Sequence, residues 1–572
     1  MSIVGTRVVR TEDPRLLTAG GTYVDDLRVP ELNAAARVTF VRSPVAHATI
    51  TGIDVSAART EPGVVAVLTA EDLDDIPAPP DSPMAEPLLA VDRVRFVGEP
   101  VAIVITDDAY RGEDAAELVS VDYEPLQAVV EYADALDGPA LLFPAAGSNI
   151  AGERGRDKFD DAAFDGCDVV VERTIVNQRV APVPLEVRAA AAVWDNAGPA
   201  VPATGSAAGG SPHRGSPHRG SPQGGSPQGG PAASGPAAGG PAASGPSQGH
   251  LTFWVSTQNA QLTRAIVTGA LGLDASAVRV IAPDVGGGFG AKIGADREAV
   301  LVAWAARRTG RPLRWVETRT ENLLAMTHGR GQRQTIKIGG TRDGRILAYR
   351  LDIVQDGGAY PRLGEFLAGL TARMAGGPYD IPNVQTGFRV VVTNTTPISA
   401  YRGAGRPEAT AAIERAVDLL AAEIGMDPVE IRRRNVVPPG KFPYTAASGA
   451  VYDTGEYAEA LNRVTAAAGY GELRAEQARR RERGDVVQLG IGVSCYVEVT
   501  AGDAAAGETA RLVVHEGGSA TVFTGSSPHG QGHATAWAML VQDELAIPMA
   551  QVTVVHGDTD AVPNGVGTYA SR

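Results

Sequence analysis

The sequence predicts an α+β protein built around more than one core, and three observations carry that prediction. The chain has 572 residues, more than one hydrophobic core organises, and that length suggests about two to four domains. Short runs rich in Val, Ile, Thr and aromatic residues alternate with longer segments of helical period, the signature of packed α and β layers. Apolar residues make up 44% and charged residues 20%, which places the chain among ordinary globular proteins.

The N-terminal part, residues 1–130, alternates β-rich runs with turns: "AARVTFVRSP", "GVVAVLTAEDL", "VRFVGEPVAIVITD" and "ELVSVDYEPL". Between two of them "TDDAYRGEDAAELV" reads as a helix, with Thr106 or Asp107 as its cap. Residues 131–165 read as a linker. The next region, 166–430, opens on the strand-like "CDVVVERTIVNQRVAP" and continues through the strand "AVRVIAPDV" to a glycine loop. A helix "ADREAVLVAWAARRTG" and a strand "PLRWVETRTE" follow. Acids in the first turn of that helix and Arg307 and Arg308 in its last match the helix dipole. The longest helix is "RPEATAAIERAVDLLAAEIGMD", with Pro407 in its first turn and Gly425 near its end. Asp427-Pro428 starts another. In the last region, 431–572, "ARLVVHEGGSATVFTGSS" reads as a hairpin, "HATAWAMLVQDELAI" as a helix and "QVTVVHGDTD" as a strand.

Residues 199–249 stand apart: a degenerate repeat of Gly, Pro, Ser and Ala with almost nothing apolar to bury. Such a segment cannot offset its ordering entropy and is expected to be disordered. His213 and His218 within it read as part of a surface loop rather than a metal site. The flanking "VRAAAAVWD" and "HLTFWVSTQ" are both strand-like, so the insert stands where a short hairpin turn would.

A net charge of −15 leaves no basic face for nucleic acid. Two cysteines, Cys167 and Cys495, are too few for a disulfide framework or for an iron–sulfur cluster, which takes about four thiolates. The opening "MSIVGTRVVRTEDPRL" lacks the apolar core of a secretory signal, and no run of about 18 apolar residues exists to span a membrane. The cytoplasm is the expected compartment.

The segment "DVGGGFGAKIG", 284–294, raises the functional question. Clustered glycines imply positive φ or a close approach to the main chain; the candidates are a phosphate, a bulky cofactor or a tight turn. Gly286, Gly288 and Ala291 fit G-x-G-x-x-A, but the stretch about 20 residues on is the helix "LVAWAARRTGR", with no acid for a ribose. A P-loop fails too, because Lys292 precedes Ile293 rather than a Ser or Thr.

Other segments give the loop a context. "STQNAQ" (256–261), "GGGFGAKIG", "AYRGAGRPEA" (400–409), "GSSPHGQGHAT" (525–535) and "VVHGDTDAVPNGVGTYASR" occur in that order. Together they resemble the large, molybdopterin-binding subunit of the xanthine dehydrogenase, aldehyde oxidase and carbon monoxide dehydrogenase family. "VGTRVVRTEDPRLLTAGGTYVDDL", "FVRSPVAHA" and "VRFVGEPVA" look like its hammerhead-type domain. The resemblance runs nearly end to end outside the insert. It implies an N-terminal α/β hammerhead-type domain followed by two mixed α/β molybdenum-cofactor-binding domains, the second incomplete.

The resemblance also implies roles. Gln258 would hydrogen-bond an oxo ligand of the metal; Gly287, Gly288, Phe289 and Gly290 would hold the pterin side, with Phe289 as a wall. Gly530, Gln531 and Gly532 would contact the dithiolene and pyrophosphate region, and His529 stands where a glutamine is common. A long polyanionic cofactor suits loops that offer main-chain N–H donors. Arg402 would orient an anionic or carbonyl-bearing substrate and lie by the cofactor. The copper-binding cysteine of carbon monoxide dehydrogenases is replaced by Gly403, which disfavours carbon monoxide oxidation. The implied reaction is hydroxylation of an aldehyde or an N-heteroaromatic carbon with water as oxygen source. The implied cofactor is molybdenum with molybdopterin cytosine dinucleotide, and the implied partners in a hetero-oligomer are a small [2Fe–2S] subunit and a medium FAD subunit. The family's glutamate base is expected beyond "GTYASR", hence beyond Arg572. The alternative is a truncated, catalytically inactive fragment or a scaffold.

Overall fold

The computed structural model describes residues 2–77, 82–196, 249–500 and 507–571. Nearly all of the insert, with His213 and His218, lies outside the described residues.

A seven-stranded sheet forms the base of the molecule. Its strands run in the order Val278–Ile281, His250–Val255, Ala189–Asp195, Leu313–Val316, Ala36–Arg42, Pro100–Thr106 and Val64–Thr69. Strands from the N-terminal part and from the central part therefore share one sheet. The seam is parallel, with Ala36 opposite Leu313. Pro100–Thr106 is an unbroken apolar run except at its end, and all seven of its residues are buried, as a strand covered on both faces requires. Ala189–Asp195 and His250–Val255 pair antiparallel with Asp195 opposite His250, so the two flanks of the insert form the expected hairpin.

Helix Arg297–Thr309 lies on this sheet. Asp296 caps it by accepting from the Ala299 amide at 3.2 Å, and Gly310 ends it at φ 63°. Leu301, Val302 and Trp304 from this helix enter the main core beside Phe253 and Trp315.

A five-stranded sheet carries the second core, in the order Ile150–Arg154, Asn383–Val391, Ile346–Asp356, Gln332–Gly340 and Val169–Asn177. Helix Arg406–Glu423 packs on it through Ala412, Ile413, Ala416, Val417 and Leu420. The helix starts at Arg406 with Pro407 in its first turn, as the sequence predicts, and Asp427 caps the following helix Pro428–Asn435. Ala510–Val514, Ala520–Thr524 and Val552–Val555 form a smaller sheet under helix His533–Leu545.

One predicted cap is wrong. The helix expected from Thr106 or Asp107 begins at Arg111. Thr106 is held in the strand, paired with Arg37 and Val64, so its backbone cannot also start a helix. Asp108 accepts from the Tyr110 amide at 2.8 Å instead. No described helix is long and apolar enough to cross a membrane.

Candidate functional site

Five loops converge on one cavity of about 1240 Å³. Small-molecule pockets commonly occupy about 300–1,000 Å³, so this one has room for more than a single small ligand.

The first loop follows strand His250–Val255. Asn259 accepts from the Leu262 amide at 2.9 Å and caps helix Ala260–Leu271, which fixes Gln258 before it. The Gln258 Oε1 accepts from the Gly290 amide at 2.9 Å and the Lys292 amide at 3.3 Å, while its Nε2 donates to the Thr568 carbonyl at 2.9 Å. One amide side chain thus joins the glycine loop to the 566–571 segment. The same helix holds that segment further on, through Asn259 to the Val566 carbonyl and Gln261 to the Val562 carbonyl.

The bareness of the glycine loop has a cause within this chain. A Cβ added at Gly286 would lie 2.5 Å from the Glu186 Cβ, and one at Gly288 would lie 2.4 Å from the Gln258 Oε1. At Gly287 it would meet the Phe289 ring at 2.8 Å, and at Gly290 the Ala400 carbonyl oxygen at 2.8 Å. Protein fills the space that the missing side chains leave, and the loop faces the cavity through Phe289 and Gly290. Phe289 itself has φ 55°, a strained conformation for an aromatic residue.

Beneath the loop, Lys292 is buried and donates to the Glu186 carboxylate and carbonyl, both at 2.9 Å; the Gly286 amide donates to the same carboxylate at 2.8 Å. Burial lowers the Lys292 pKa, and Glu186 opposes that shift. This lysine braces the loop.

The 400–406 loop supplies a cation of a different kind. The exposed guanidinium of Arg402 lies over the Phe289 ring, 4.5 Å from its centroid, and pairs with no carboxylate among the described residues. Arg406, by contrast, donates to the carbonyls of Gly403, Ala404 and Val499 and stands 3.4 Å from Glu498. The wall carboxylates are both paired: Glu498 with Arg406, and Asp296 with Arg188 at 2.5 Å. Two wall cations, Arg402 and Arg373, have no carboxylate partner among the described residues, so the unbalanced charge of the cavity is positive.

His529 and Gln531 close another side, with the His529 amide donating to the Gln531 Oε1 at 2.7 Å. Burial, with the charges of His533 and Lys292 adding, lowers the His529 pKa to about 4, so its imidazole is neutral at neutral pH. A Cβ at Gly530 would meet nothing within 4 Å, whereas one at Gly532 would sit 3.1 Å from the Arg10 Nε. Gly530 alone of these glycines leaves its backbone open to an approaching group. The buried hydroxyls of Ser527 and Thr568 lack hydrogen-bond partners, and Thr568 lies on the wall. Apolar side chains including Leu262, Trp315, Leu370 and Met374 complete the cavity.

Of the residues singled out in the sequence, Gln258, Phe289, Gly290, Arg402, His529 and Gln531 line this one cavity. Gly287, Gly288, Gly530 and Gly532 adjoin them in the chain without being wall residues. Sequence reasoning missed the roles of Glu186, Lys292 and Thr568. A signal for Lys292 was present, since a lysine inside a glycine loop has little reason to be there except to hold backbone, whereas Glu186 lies a hundred residues from that loop in "PVPLEVRA". The described residues contain no cluster of His, Cys, Asp or Glu able to hold a metal ion directly.

Comparison with known proteins agrees with this geometry. Residues 240–436 and 463–572 each match the molybdopterin cofactor-binding domain family, and residues 18–127 match the a/b hammerhead domain of aldehyde oxidase and xanthine dehydrogenase. The carbon monoxide dehydrogenase large chain of Hydrogenophaga pseudoflava is 33% identical, over 99% of this chain and 68% of its own length. The nicotine 6-hydroxylase large subunit of Paenarthrobacter nicotinovorans is also 33% identical, over 100% of this chain and 66% of its own. Quinoline 2-oxidoreductase from Pseudomonas putida 86 superposes with a TM-score of 0.84 at 32% identity, covering 99% of this chain and 68% of that one. The chain spans about two thirds of the length of these relatives. With its hammerhead domain, two cofactor-binding domains and convergent loops, the chain belongs to the molybdopterin-binding oxidoreductases, in the family of the xanthine dehydrogenase and carbon monoxide dehydrogenase large subunits.

Proposed function

We propose that this chain is the cofactor-binding part of a molybdenum hydroxylase that oxidises an aldehyde or an N-heteroaromatic carbon. The observation that carries the reading is Arg402, a cation without a carboxylate partner at the wall of a cavity large enough for a dinucleotide and a substrate.

The residues present fit a large anion. Gly530 leaves backbone open, the Ser527 and Thr568 hydroxyls lack partners, and the wall acids are neutralised. In this reading Gln258, Gly287, Gly288, Phe289, Gly290, His529, Gly530, Gln531 and Gly532 would hold a molybdopterin cofactor in its cytosine dinucleotide form. When bound, that group supplies the two-electron oxidation in which water provides the oxygen. Arg402 would orient the anionic or carbonyl end of the substrate, and Phe289 would keep an apolar surface against its ring. Neutral His529 adds donor and acceptor capacity without charge. Electrons would leave through a small [2Fe–2S] subunit and a medium FAD subunit, since two cysteines cannot bind a cluster. Separate matches for the hammerhead and the two cofactor-binding segments support reading 1–130, 166–430 and 431–572 as units, while residues 131–165, expected to be a linker, supply strand Ile150–Arg154 to the five-stranded sheet.

A second reading, a cofactor-binding piece without turnover of its own, is favoured by one feature: both carboxylates on the wall are engaged in ion pairs. In the first reading the proton acceptor comes from polypeptide outside the described residues.

Molybdenum and released pterin nucleotide, measured on the purified protein, test the proposal together with substrate-dependent dye reduction. About one molybdenum and one cytidine nucleotide per chain, with turnover of an N-heteroaromatic or aldehyde and none of carbon monoxide, is the expected result. Full loading without turnover selects the second reading, and absence of metal and pterin rejects both.

A further inference from the structure

Arg330 has φ 65°, in the left-handed region that residues with a side chain avoid. Such strain persists only where the surroundings enforce it. Here they do. Arg330 sits in "HGRGQ", 328–332, between two glycines that let this stretch press against residues 398–401. A Cβ at Gly329 would lie 2.4 Å from the Tyr401 Cβ, and one at Gly331 would lie 2.5 Å from the Ile398 Cδ1. Backbone bonds join the two stretches, from the His328 amide to the Pro397 carbonyl at 3.1 Å and from the Ser399 amide to the His328 carbonyl at 2.9 Å.

From this position the Arg330 guanidinium donates to two successive carbonyls, of Tyr401 at 2.9 Å and of Arg402 at 2.5 Å. It also covers the Tyr401 ring, 4.8 Å from the centroid. On its other side stands the Glu408 carboxylate, 3.5 Å away and buried, with one oxygen lacking a hydrogen-bond partner. One side chain thus grips both ends of the 401–408 stretch. That stretch needs an external hold. Gly403, Ala404 and Gly405 have φ of 88°, 29° and 89°, so three successive residues form no regular ladder. A rigid planar fork fixes two successive carbonyls in one geometry; an ammonium on a flexible stem does not fix their orientation.

We propose that Arg330 is a positioning residue, clamping the 400–406 loop so that the Arg402 side chain is presented at the cavity. The role assigned to Arg402 rests on the function proposed above, but the clamp itself can be tested without turnover.

Hydrogen–deuterium exchange on the full chain is the direct measurement. Arg330→Lys keeps the charge and loses the fork. It is expected to speed exchange of the Arg402–Arg406 amides about tenfold, while the interior of helix Arg297–Thr309 is unchanged. Because Arg330→Met strands the Glu408 carboxylate, it is combined with Glu408→Gln, and the pair is expected to loosen the loop further. Unchanged exchange at 402–406 in folded Arg330→Lys, or acceleration spread evenly over the chain, overturns the proposal. In the loaded enzyme, Arg330→Lys is expected to raise KM with kcat held within about twofold, and this effect is expected to vanish in an Arg402→Met background. Persistence of the KM effect in that background also overturns the proposal. If no aldehyde or N-heteroaromatic compound is turned over, the functional reading fails and the exchange data still decide the clamp.

Discussion

Arg402 and Phe289 hold each other across two loops: the guanidinium lies 4.5 Å from the ring centroid, and the Arg402 amide donates to the Phe289 carbonyl at 2.8 Å. The contact orders an exposed cation without neutralising it. Arg402→Met is therefore expected to change thermal stability little, since an exposed cation–π contact contributes about 0.5–1 kcal/mol. Catalytic efficiency is expected to fall by about tenfold or more, as a charge-assisted substrate contact is lost. Steady-state kinetics beside a thermal melt separates the two effects; an unaltered kcat/KM removes Arg402 from the site.

Gln258 is expected to behave in the opposite way. Replacing it with Ala leaves the Gly290 and Lys292 amides and the Thr568 carbonyl without their side-chain partner. Each buried group left unsatisfied costs about 1–3 kcal/mol. A clear drop in the urea midpoint, accompanied by loss of bound molybdenum, is the outcome to look for. A stable, fully loaded Gln258→Ala protein contradicts the proposed junction.

Lys292→Met leaves the Glu186 carboxylate buried and unpaired, a change that costs about 3–5 kcal/mol. Adding Glu186→Gln is expected to recover more than half of that loss. The double-mutant cycle in denaturant supplies the check, with simple additivity as the contrary result.

Acid should weaken the fold through its buried histidines. His529 protonates at about 4 in the folded chain against 6.5 when unperturbed, and burial also lowers His533 and His556. Between those values the unfolded chain binds more protons, so stability is intact above pH 6.5 and declines as pH falls toward 4. His529 alone contributes on the order of 3 kcal/mol to that decline. Urea midpoints measured across this range should show a slope that His529→Gln makes shallower. An unchanged slope means that His529 is accessible to protons in the folded state.

Deleting residues 197–248 joins Asn196 to Gly249, an Asn-Gly pair between Asp195 and His250, which already face each other. Asn-Gly suits the two-residue turn that such a register requires. The shortened chain is expected to fold with equal or higher melting temperature, gaining at most about 2–3 kcal/mol from the shorter closure. A large loss of stability would show that the insert contributes to packing.

Much of this was legible in the sequence because local rules and the fold agree. Asp296, Pro407 and Asp427 mark helix starts, and Gly310 marks a helix end. The loop at 284–294 announced itself by composition, but its physics did not. Glycine says that something comes close, without saying whether that is a ligand or the chain itself. At Gly286, Gly288 and Gly290 it is Glu186, Gln258 and Ala400, partners separated by up to about a hundred positions in the chain, which no periodicity connects. Arg330 escaped notice for a related reason. "GRG" reads as a turn until the carbonyls of Tyr401 and Arg402 are brought within reach. Thr106 misled because a residue that caps well was already committed to a strand.

Strand Ala36–Arg42 lies inside its sheet, between Leu313–Val316 and Pro100–Thr106. The N-terminal part therefore cannot swing away as a door, since opening it would tear a continuous ladder. What remains movable around the cavity is the 559–568 stretch, hooked onto helix Ala260–Leu271 by the side chains of Gln261 and Arg264. In the function proposed above, a guest as bulky as a pterin nucleotide would be taken aboard before those hooks close. Installation of the prosthetic group then becomes a matter of timing during maturation rather than of gating in the finished protein.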